Sequence, residues 1–371
     1  MDKAENLLAD LLAHADVQIN GSRAWDLTVH NRKLYQRLLS DGVLGLGESY
    51  VDGWWDCEDL GEMVRKLLLA DLEHVVRPMK LLIPVLQAKL MNIQSRSGAS
   101  RDVASHYNRG NLLFRNMLDK RMVYSCAYWK NADNLDDAQE AKLDLVCRKL
   151  GLKDGDHVLD IGCGWGSFLK FAAERYGARG TGITLASEQI ALGKELCEGL
   201  PIELRMQDYR DLDERFDHIV SIGMFEHVGP PNYREYMEIA EKCLNDEGLF
   251  VLHTLGVNRE RESTDPWTER YIFPGARLPV AEQIARAAKG LFVLEDWQNI
   301  GVHYAPTLEA WFANFDRNWK DVIAPHYDKR FYRMWKYLLL STPGSFRARR
   351  SQVWQIVFSK KGVAGGYEAV R

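Results

Sequence analysis

Short apolar segments alternate with helical segments from about residue 157 onward, and this alternation constrains the fold more than any other feature. The apolar segments are rich in β-branched and aliphatic residues, whereas those between them repeat apolar residues every three to four positions. This pattern is typical of an α/β fold with a doubly wound parallel sheet. The predicted strands are 157–162, 180–185, 202–208, 216–224, 248–256, 291–300 and 351–360.

Helical periodicity also predicts the elements between these strands and the organisation of the first quarter of the chain. The predicted helices are 5–15, 34–39, 60–72, 136–150, 168–176, 187–197, 233–244 and a helical block over 308–340. The Gly- and Trp-rich stretch 42–60 is predicted to be a packed turn region. We therefore expect a small helical N-terminal domain over 1–92, a polar linker over 93–102 and a catalytic domain over 103–371.

Composition narrows the class of protein. No apolar run is long enough for a membrane span, and the acidic, amphipathic N-terminus does not resemble a signal peptide. Six scattered cysteines without a CxxC pair, and histidines without zinc-ligand spacing, predict a reduced cytoplasmic protein without a metal site. The net charge of −4 does not favour a nucleic-acid partner.

Two segments are basic and contain no acidic residue. Segment 329–361 has nine Lys and Arg, and segment 75–101 has five, with aromatic and aliphatic residues between them. Each cation near an anionic membrane surface contributes about 1 kcal/mol of binding. The alternative is that these are the solvated faces of ordinary helices, and the sequence leaves both interpretations open.

A glycine-rich turn follows the first predicted strand, in the sequence VLDIGCGWG at 158–166. Glycines let the backbone approach a ligand, and the helix that follows favours a negative group such as a methionine carboxylate. The spacing GxGxG, with Asp160 before it, favours S-adenosylmethionine over a dinucleotide. Together with seven strands that end in a late pair, it indicates the Rossmann-like fold of S-adenosylmethionine-dependent methyltransferases.

Further candidates for cofactor binding follow the next two strands. The tip of the second strand has Thr184 and Leu185 where an acid usually holds the ribose, so the nearest polar candidates are Glu188 and Gln189. Asp208 follows the third strand, where it is placed to accept the adenine amino group. The predicted cofactor-binding residues are Tyr124, Ser125, Asp160, Gly162, Gly164, Gly166, Thr184, Leu185, Gln189, Gln207, Asp208, Tyr209 and Ile222.

Several motifs together give the chain a specific resemblance. They are YSCAYW (124–129), VLDIGCGWG (158–166), GITL (182–185) with Gln189, QDYRD (207–211), SIGMFEHVG (221–229), HTLG (253–256) and YIFP (271–274). In these motifs the chain resembles the cyclopropane-fatty-acyl-phospholipid synthases and, more distantly, the mycolic acid cyclopropane synthases. The stretch GLGESYVDGWW at 45–55 looks like the phospholipid-acting branch.

The resemblance implies a reaction and a set of residues. A methyl group passes from S-adenosylmethionine to a cis double bond of a phospholipid acyl chain, and loss of a proton then closes a cyclopropane ring. Bound bicarbonate is the implied proton acceptor, held by Cys126, Glu226, His253, Leu255 (through its backbone) and Tyr304. The family also implies a homodimer that associates peripherally with the inner membrane from the cytoplasm.

Each of these residues also has a structural interpretation. Glu226 is placed to cap a helix, His253 to be a satisfied core histidine and Tyr304 to be a loop residue. No local cation activates Cys126, and a thiolate would compete with the alkene for the methyl group, so we expect this thiol to line the anion pocket. Segment 340–349 lacks the cysteine that some members carry before their GxFRAR run.

Other functions are compatible with the same fold. They are methylation of a small soluble acceptor such as an amine, addition of a methyl or methylene branch to the acyl chain, and non-catalytic lipid binding. A Trp-rich N-terminal region with Trp25, Trp54 and Trp55 favours contact with a membrane or phospholipid, because Trp favours the membrane interface.

Overall fold

The structure is a computed structural model that describes residues 3–71, 110–260 and 265–371. The chain forms two compact units. The first comprises Met1–Asn92, Arg261–Pro274 and Tyr304–Ser351, and the second comprises Ile93–Glu260, Gly275–His303 and Gln352–Arg371. Each unit therefore combines several separate segments of the chain, whereas the predicted domains were the continuous ranges 1–92 and 103–371. The predicted linker at 93–102 lies outside the described residues, and the domain boundaries stay a prediction.

The elements of the described residues are as follows. The strands are β1 Thr28–Val29, β2 Trp55–Asp56, β3 His157–Ile161, β4 Arg179–Thr184, β5 Ile202–Met206, β6 His218–Ile222, β7 Leu249–Val257, β8 Val293–Asn299 and β9 Ser351–Ser359. The helices are α1 Lys3–His14, α2 Lys33–Val51, α3 Leu60–Leu69, α4 Asn111–Arg115, α5 Leu135–Leu150, α6 Ser167–Tyr176, α7 Ser187–Leu196, α8 Tyr233–Cys243, α9 Pro266–Tyr271, α10 Ala281–Ala288, α11 Tyr304–Asn318 and α12 Lys329–Arg347.

A seven-stranded sheet forms the centre of the second unit, as the alternation predicts. Its strand order is β5-β4-β3-β6-β7-β9-β8. Strands β3 to β7 pair in parallel, while β8 and β9 pair antiparallel as the predicted late pair. The order reverses direction between β3 and β6, and ligands of open α/β sheets bind at the carboxyl ends of the strands beside such a switch point.

Apolar cores on this sheet position its strand ends. Leu159, Phe250 and Ile356 are fully buried in one cluster, and Val158 and Val251 are fully buried in another. Because parallel strands are covered on both faces, their side chains are apolar in both directions, which explains the continuous apolar runs in the sequence. The polar residues that interrupt these runs are consequently candidates for function.

The prediction that 42–60 is a turn region was wrong for its first half. Helix α2 continues through this stretch to Val51, with a kink at Gly42, whose φ is 57° and ψ is −129°. Gly47 lies so close to the Trp267 indole that an added Cβ would be 2.4 Å from its Cδ1 atom. The glycines of α2 therefore allow a bend and close packing, rather than a succession of turns.

The three N-terminal tryptophans differ in exposure. Trp55 is 0% exposed and its indole N–H donates to the Leu46 carbonyl and the Ser49 hydroxyl. Trp55 is therefore a core residue, and its proposed contact with membrane was wrong. Trp25 and Trp54 are only partly buried, and cationic side chains lie over both rings.

Six of the nine cations in segment 329–361, all within the described residues, form ion pairs with acids of the protein. The pairs are Arg330–Asp52, Arg333–Asp56, Arg347–Glu309, Arg350–Asp71, Lys360–Glu241 and Lys361–Asp246. The absence of acids from the segment itself thus does not produce a bare cationic surface. Segment 75–101 lies outside the described residues. Among the helices that are described, none is long and apolar enough to cross a membrane.

Candidate active site

The glycine-rich loop after β3 is held against β4 and packed from the other side by a methionine. The backbone N–H groups of Gly162 and Cys163 both donate to the Ile183 carbonyl, at 2.9 and 3.0 Å. Gly162 has φ 89°, and an added Cβ would lie 2.6 Å from Met224 Cβ. Only glycine satisfies both conditions, so the loop needs its first glycine for conformation and for space.

A pocket opens beside this loop at the carboxyl ends of β3, β4 and β6. Twelve of the thirteen predicted cofactor-binding residues line it: Tyr124, Ser125, Asp160, Gly162, Gly164, Thr184, Leu185, Gln189, Gln207, Asp208, Tyr209 and Ile222. Gly166 does not line the pocket. An added Cβ there would lie 3.0 Å from the Cys197 sulfur, so this glycine serves the packing at the start of α6.

Two buried ionisable side chains line this pocket. Asp160 is 2% exposed, and no described residue forms a hydrogen bond with its Oδ1 atom. Burial raises the pKa of Asp160 to about 7, and the nearby Lys142 ammonium opposes that rise. Lys142 is 0% exposed, and burial lowers its pKa to about 8. The pocket therefore holds a carboxylate and an ammonium whose protonation depends on each other.

Helix α5 and Asp119 hold the segment that forms another wall of the pocket. Gln139 donates its amide to the Ser125 carbonyl at 2.8 Å, and Lys142 Nζ donates to the Ser125 hydroxyl at 2.9 Å. Asp119 accepts from the Val123 N–H at 2.8 Å. These side chains are all buried, so Tyr124 and Ser125 are presented to the pocket from a rigid support.

The far end of the pocket is formed by loops after β4 and β5. The Thr184 hydroxyl donates to Gln189 Oε1 at 3.1 Å, which positions Gln189 beside the strand tip. Asp208 is 9% exposed, caps the turn that follows it and forms an ion pair with Arg210 at 3.1 Å. The Asp208 carboxylate therefore lies next to the pocket, at the position predicted to bind the adenine amino group.

A second polar cluster lies at the ends of β6 and β7. Glu226 Oε1 accepts the Leu255 N–H at 2.6 Å, while its Oε2 atom is buried and has no partner in the described part of the chain. His253 is 1% exposed, and its Nε2 atom is likewise buried without a partner among the residues that the structure describes. Burial raises the pKa of Glu226 to about 7 and lowers the pKa of His253 well below its ordinary value.

This cluster is joined directly to the cofactor pocket. The Gly223 N–H donates to the His253 carbonyl at 2.9 Å, and Ile222 and His253 face each other in the β6–β7 register. Ile222 and Gly223 both line the pocket. An acid and an imidazole with unpartnered atoms therefore lie next to the place where a cofactor would bind.

Comparisons with known proteins agree with this geometry. The model of the family described as mycolic acid cyclopropane synthetase matches residues 94–356. A cyclopropane-fatty-acyl-phospholipid synthase from Escherichia coli strain K12 is 47% identical over 363 residues, which cover 98% of this chain and 94% of the relative.

The chain belongs to the mycolic acid cyclopropane synthetase family. Two solved structures of cyclopropane synthases are similar to it as well. One, from Mycobacterium tuberculosis, is 31% identical with a TM-score of 0.66, over 70% of this chain and 98% of that chain. The other, a mycolic acid cyclopropane synthase complexed with SAH and CTAB, is 32% identical with a TM-score of 0.65 and the same coverage. The family resemblance and the predicted methyltransferase fold are therefore confirmed.

The family resemblance also implies Cys126 and Tyr304 as site residues, and these two lie in different units. Cys126 is 1% exposed, and its thiol lies 3.3 Å from the Ala127 carbonyl and 3.9 Å from the Ile300 carbonyl. Tyr304 begins α11 in the first unit, where its ring contacts Trp311 and Phe346. Neither of these contacts assigns a catalytic role, and both residues stay predicted members of the site.

Sequence reasoning missed several residues that line the pocket or contact His253. Lys142, Trp165, Arg210 and His227 line the cofactor pocket, and Gln355 contacts His253. Lys142 had a detectable signal, because it and Gln139 lie three residues apart on the face of α5 that otherwise carries apolar residues. Gln355 had none, since a polar residue near the end of the chain does not reveal which strand lies beside it.

Proposed function

We propose that this protein transfers a methylene unit from S-adenosylmethionine to the cis double bond of unsaturated phospholipid acyl chains, forming cyclopropane fatty acids. The similarity to a cyclopropane-fatty-acyl-phospholipid synthase over 98% of the chain supports this substrate class. The observation that carries the chemistry is that Glu226 Oε2 and His253 Nε2 are both buried without a partner among the described residues. His253 lies beside Ile222 and Gly223, which line the cofactor pocket. Methyl transfer to an amine has no evident need for such a cluster.

The reaction requires one proton acceptor. The alkene π electrons form a bond to the cofactor methyl carbon as its bond to sulfur breaks, which leaves a carbocation and S-adenosylhomocysteine. One C–H bond of the added methyl group then breaks, its electron pair closes the ring and its proton leaves. The site must therefore exclude water from the carbocation and hold a base near the added carbon.

The cofactor set divides into groups with different tasks. The unpartnered Oδ1 atom of Asp160 is suited to accept from the α-ammonium of S-adenosylmethionine, and the N-terminus of α6 favours its carboxylate. Thr184 and Gln189 are suited to the ribose hydroxyls, and Asp208 to the adenine amino group. Tyr124 and Ser125 close the pocket beside the methionine moiety, held by α5.

The base that we propose is bicarbonate, which accepts the proton when it is bound. Its binding group is the predicted set Cys126, Glu226, His253, Leu255 and Tyr304. Glu226 and His253 fit a small polar ligand, because each has a buried atom without a partner. With a pKa of about 7, Glu226 is able to carry a proton and donate to an anion instead of repelling it. The Leu255 N–H orients Glu226 by donating to its other oxygen.

We also propose that the protein acts from the cytoplasm at the inner membrane, as a peripheral homodimer. In this proposal the N-terminal region 1–92 contacts the phospholipid, residues 93–102 form the linker, and residues 103–371 form the catalytic domain. Trp25 and Trp54, both partly buried, and the cations of segment 75–101 support contact with an anionic surface. Sedimentation with anionic and zwitterionic vesicles tests this, since loss of cations from 75–101 should weaken only the anionic binding.

The first experiment identifies the product. Purified protein is incubated with S-adenosylmethionine, bicarbonate and vesicles of unsaturated phosphatidylglycerol or phosphatidylethanolamine, and the acyl chains are examined by mass spectrometry before and after hydrogenation. A gain of CH₂ that resists hydrogenation supports the proposal. A gain of CH₂ with a double bond that hydrogenates supports methylene branching, and absence of any lipid product supports a soluble acceptor.

A matched pair of variants connects the product to the site. Glu226→Gln keeps the size of the side chain but removes the carboxyl, and we expect cyclopropane formation to fall by more than about a hundredfold. Glu238→Gln, an exposed residue of α8, is the control and should retain activity. Equal activity in the two variants would contradict the proposed role of Glu226.

A further inference from the structure

One contact in the second cluster has a direct chemical consequence. The side-chain nitrogen Nε2 of Gln355 lies 3.3 Å from Nδ1 of His253. Gln355 is on β9, adjacent to β7 in the sheet, and is 0% exposed. The other ring nitrogen of His253 is buried, and within residues 3–71, 110–260 and 265–371 it has no partner. The two nitrogens of this imidazole therefore have different surroundings.

The contact selects one tautomer of the ring. In this orientation of the Gln355 amide its nitrogen faces the ring and its Oε1 atom has no partner among the described residues. An amide nitrogen only donates hydrogen bonds, so Nδ1 of His253 then accepts this one and carries no proton. In a neutral imidazole the single proton is then on Nε2. The atom without a partner is thus an N–H donor inside a buried cluster, which is the group that an anion requires.

Burial and the surrounding charges together keep the ring neutral. Burial is the main cause that lowers the pKa of His253, and the ammonium groups of Lys142 and Lys149 lower it further. Glu226, with its own pKa raised to about 7, is the acidic member of the same cluster. A neutral ring has two tautomers, and so its hydrogen-bond partner decides which nitrogen donates.

We propose that Gln355 is a positioning residue that fixes His253 as the Nε2–H tautomer and so makes it a donor to the bound anion. This inference rests on the proposed function, because bicarbonate is the anion concerned. Without Gln355 the proton would be able to occupy Nδ1. The lone pair of Nε2 would then face an oxygen of the anion and weaken its binding.

The tautomer is measured directly by NMR on protein with ¹⁵N-labelled histidine. The shifts separate protonated from unprotonated ring nitrogens, and a His253→Asn variant assigns the signals among the ten histidines. We expect Nε2–H in the wild type, Nδ1–H in Gln355→Glu, whose carboxylate accepts a proton, and a mixture in Gln355→Leu. The wild-type ring protonated at Nδ1, or no change in Gln355→Glu, would overturn the proposal.

Bicarbonate dependence measures the consequence for binding. In Gln355→Glu, whose ring would turn the Nε2 lone pair toward the anion, losing a hydrogen bond to a charged group should raise the bicarbonate concentration for half-maximal activity roughly tenfold to a hundredfold. The mixture of tautomers in Gln355→Leu should raise it only about twofold, because part of the protein still has the competent ring. The KM for S-adenosylmethionine should not change. Gln298→Glu is the matched control for Gln355→Glu, because Gln298 pairs with Gln355 across the β8–β9 register and no hydrogen bond from Gln298 to the ring is described. An equal effect in both variants would indicate a structural role and overturn the inference.

The two readouts separate this inference from the proposed function. If wild-type activity does not depend on bicarbonate but the His253 tautomer changes in the Gln355 variants, bicarbonate is not the bound anion, and the positioning role of Gln355 is supported. If activity depends on bicarbonate but the tautomer is the same in all variants, the function stands and the role of Gln355 fails. Binding of S-adenosylhomocysteine verifies that each variant is folded.

Discussion

Replacing Lys142 with Met should stabilise the protein at pH 7 and weaken its cofactor binding. The ammonium is fully buried, and its one described hydrogen bond goes to the Ser125 hydroxyl at 2.9 Å. Burial lowers the pKa of this lysine from 10.5 to about 8. Met has a similar length and volume without the charge, so the variant isolates the electrostatic contribution.

The magnitude follows from linkage between protonation and folding. The difference between pKa values of 10.5 and about 8 corresponds to about 3 kcal/mol of cost for the buried ammonium. Both folded and unfolded states are protonated below pH 8, so this cost is fully present at pH 7 and disappears as the pH rises from 8 to 10.5. Loss of the hydrogen bond to Ser125 offsets about 1 kcal/mol. We therefore expect Lys142→Met to be about 2 kcal/mol more stable than the wild type at pH 7, and to lose that advantage near pH 10.

Cofactor affinity should change in the opposite direction. Lys142 lowers the pKa of Asp160, which is otherwise raised by burial, and ionised Asp160 is the proposed partner of the cofactor ammonium. Without Lys142, affinity at pH 7 should fall by up to roughly tenfold for each pKa unit that Asp160 gains, and recover at higher pH.

Two measurements test this reasoning. Chemical denaturation at pH 7 and pH 10 gives the free energy of unfolding, and calorimetry with S-adenosylhomocysteine gives affinity between pH 6 and 9. Lys153→Met, on an exposed loop, is the control and should change stability by less than about 0.5 kcal/mol. A Lys142→Met protein that is clearly less stable, yet binds cofactor with wild-type affinity and pH dependence, would refute the argument.

Three further variants, with Gly199→Ala as a control for the first, test other parts of the site and fold. Gly162→Ala should destabilise the protein by more than about 2 kcal/mol and impair cofactor binding, because its Cβ would lie 2.6 Å from Met224. The control Gly199→Ala, with φ 78° and no atom within 4 Å of the added Cβ, should lower the free energy of unfolding by only about 1 to 2 kcal/mol. Thermal unfolding measures both effects. Cys126→Ser should reduce kcat by less than about tenfold, whereas a nucleophile would lose several orders of magnitude, so a rapid-quench assay distinguishes the roles. Asp296→Asn should cost about 3 kcal/mol in urea denaturation, since its carboxylate pairs with the fully buried Lys149 at 2.9 Å; an unchanged midpoint would contradict this.

The sequence by itself determined the sheet, its cofactor loop and the family. Strand residues that are buried on both faces are mostly apolar, so the central strands β3, β6 and β7 are visible as largely apolar runs. The glycine at 162 marks a backbone conformation that other residues avoid. Residues after parallel strands necessarily meet at one edge of the sheet. For this reason Asp160, Thr184 and Asp208 were identifiable as pocket residues without a structure.

Other features were decided by tertiary structure, because they depend on which distant segments lie side by side. The pairing of Gln355 with His253 requires β9 to lie next to β7, and no local pattern specifies that neighbour. The burial of Trp55 and the neutralised cations of 329–361 depend in the same way on side chains far away in the chain. The sequence shows which charged and aromatic side chains are present. Only their surroundings in the folded protein decide whether such a side chain stabilises the fold or is available to bind a ligand.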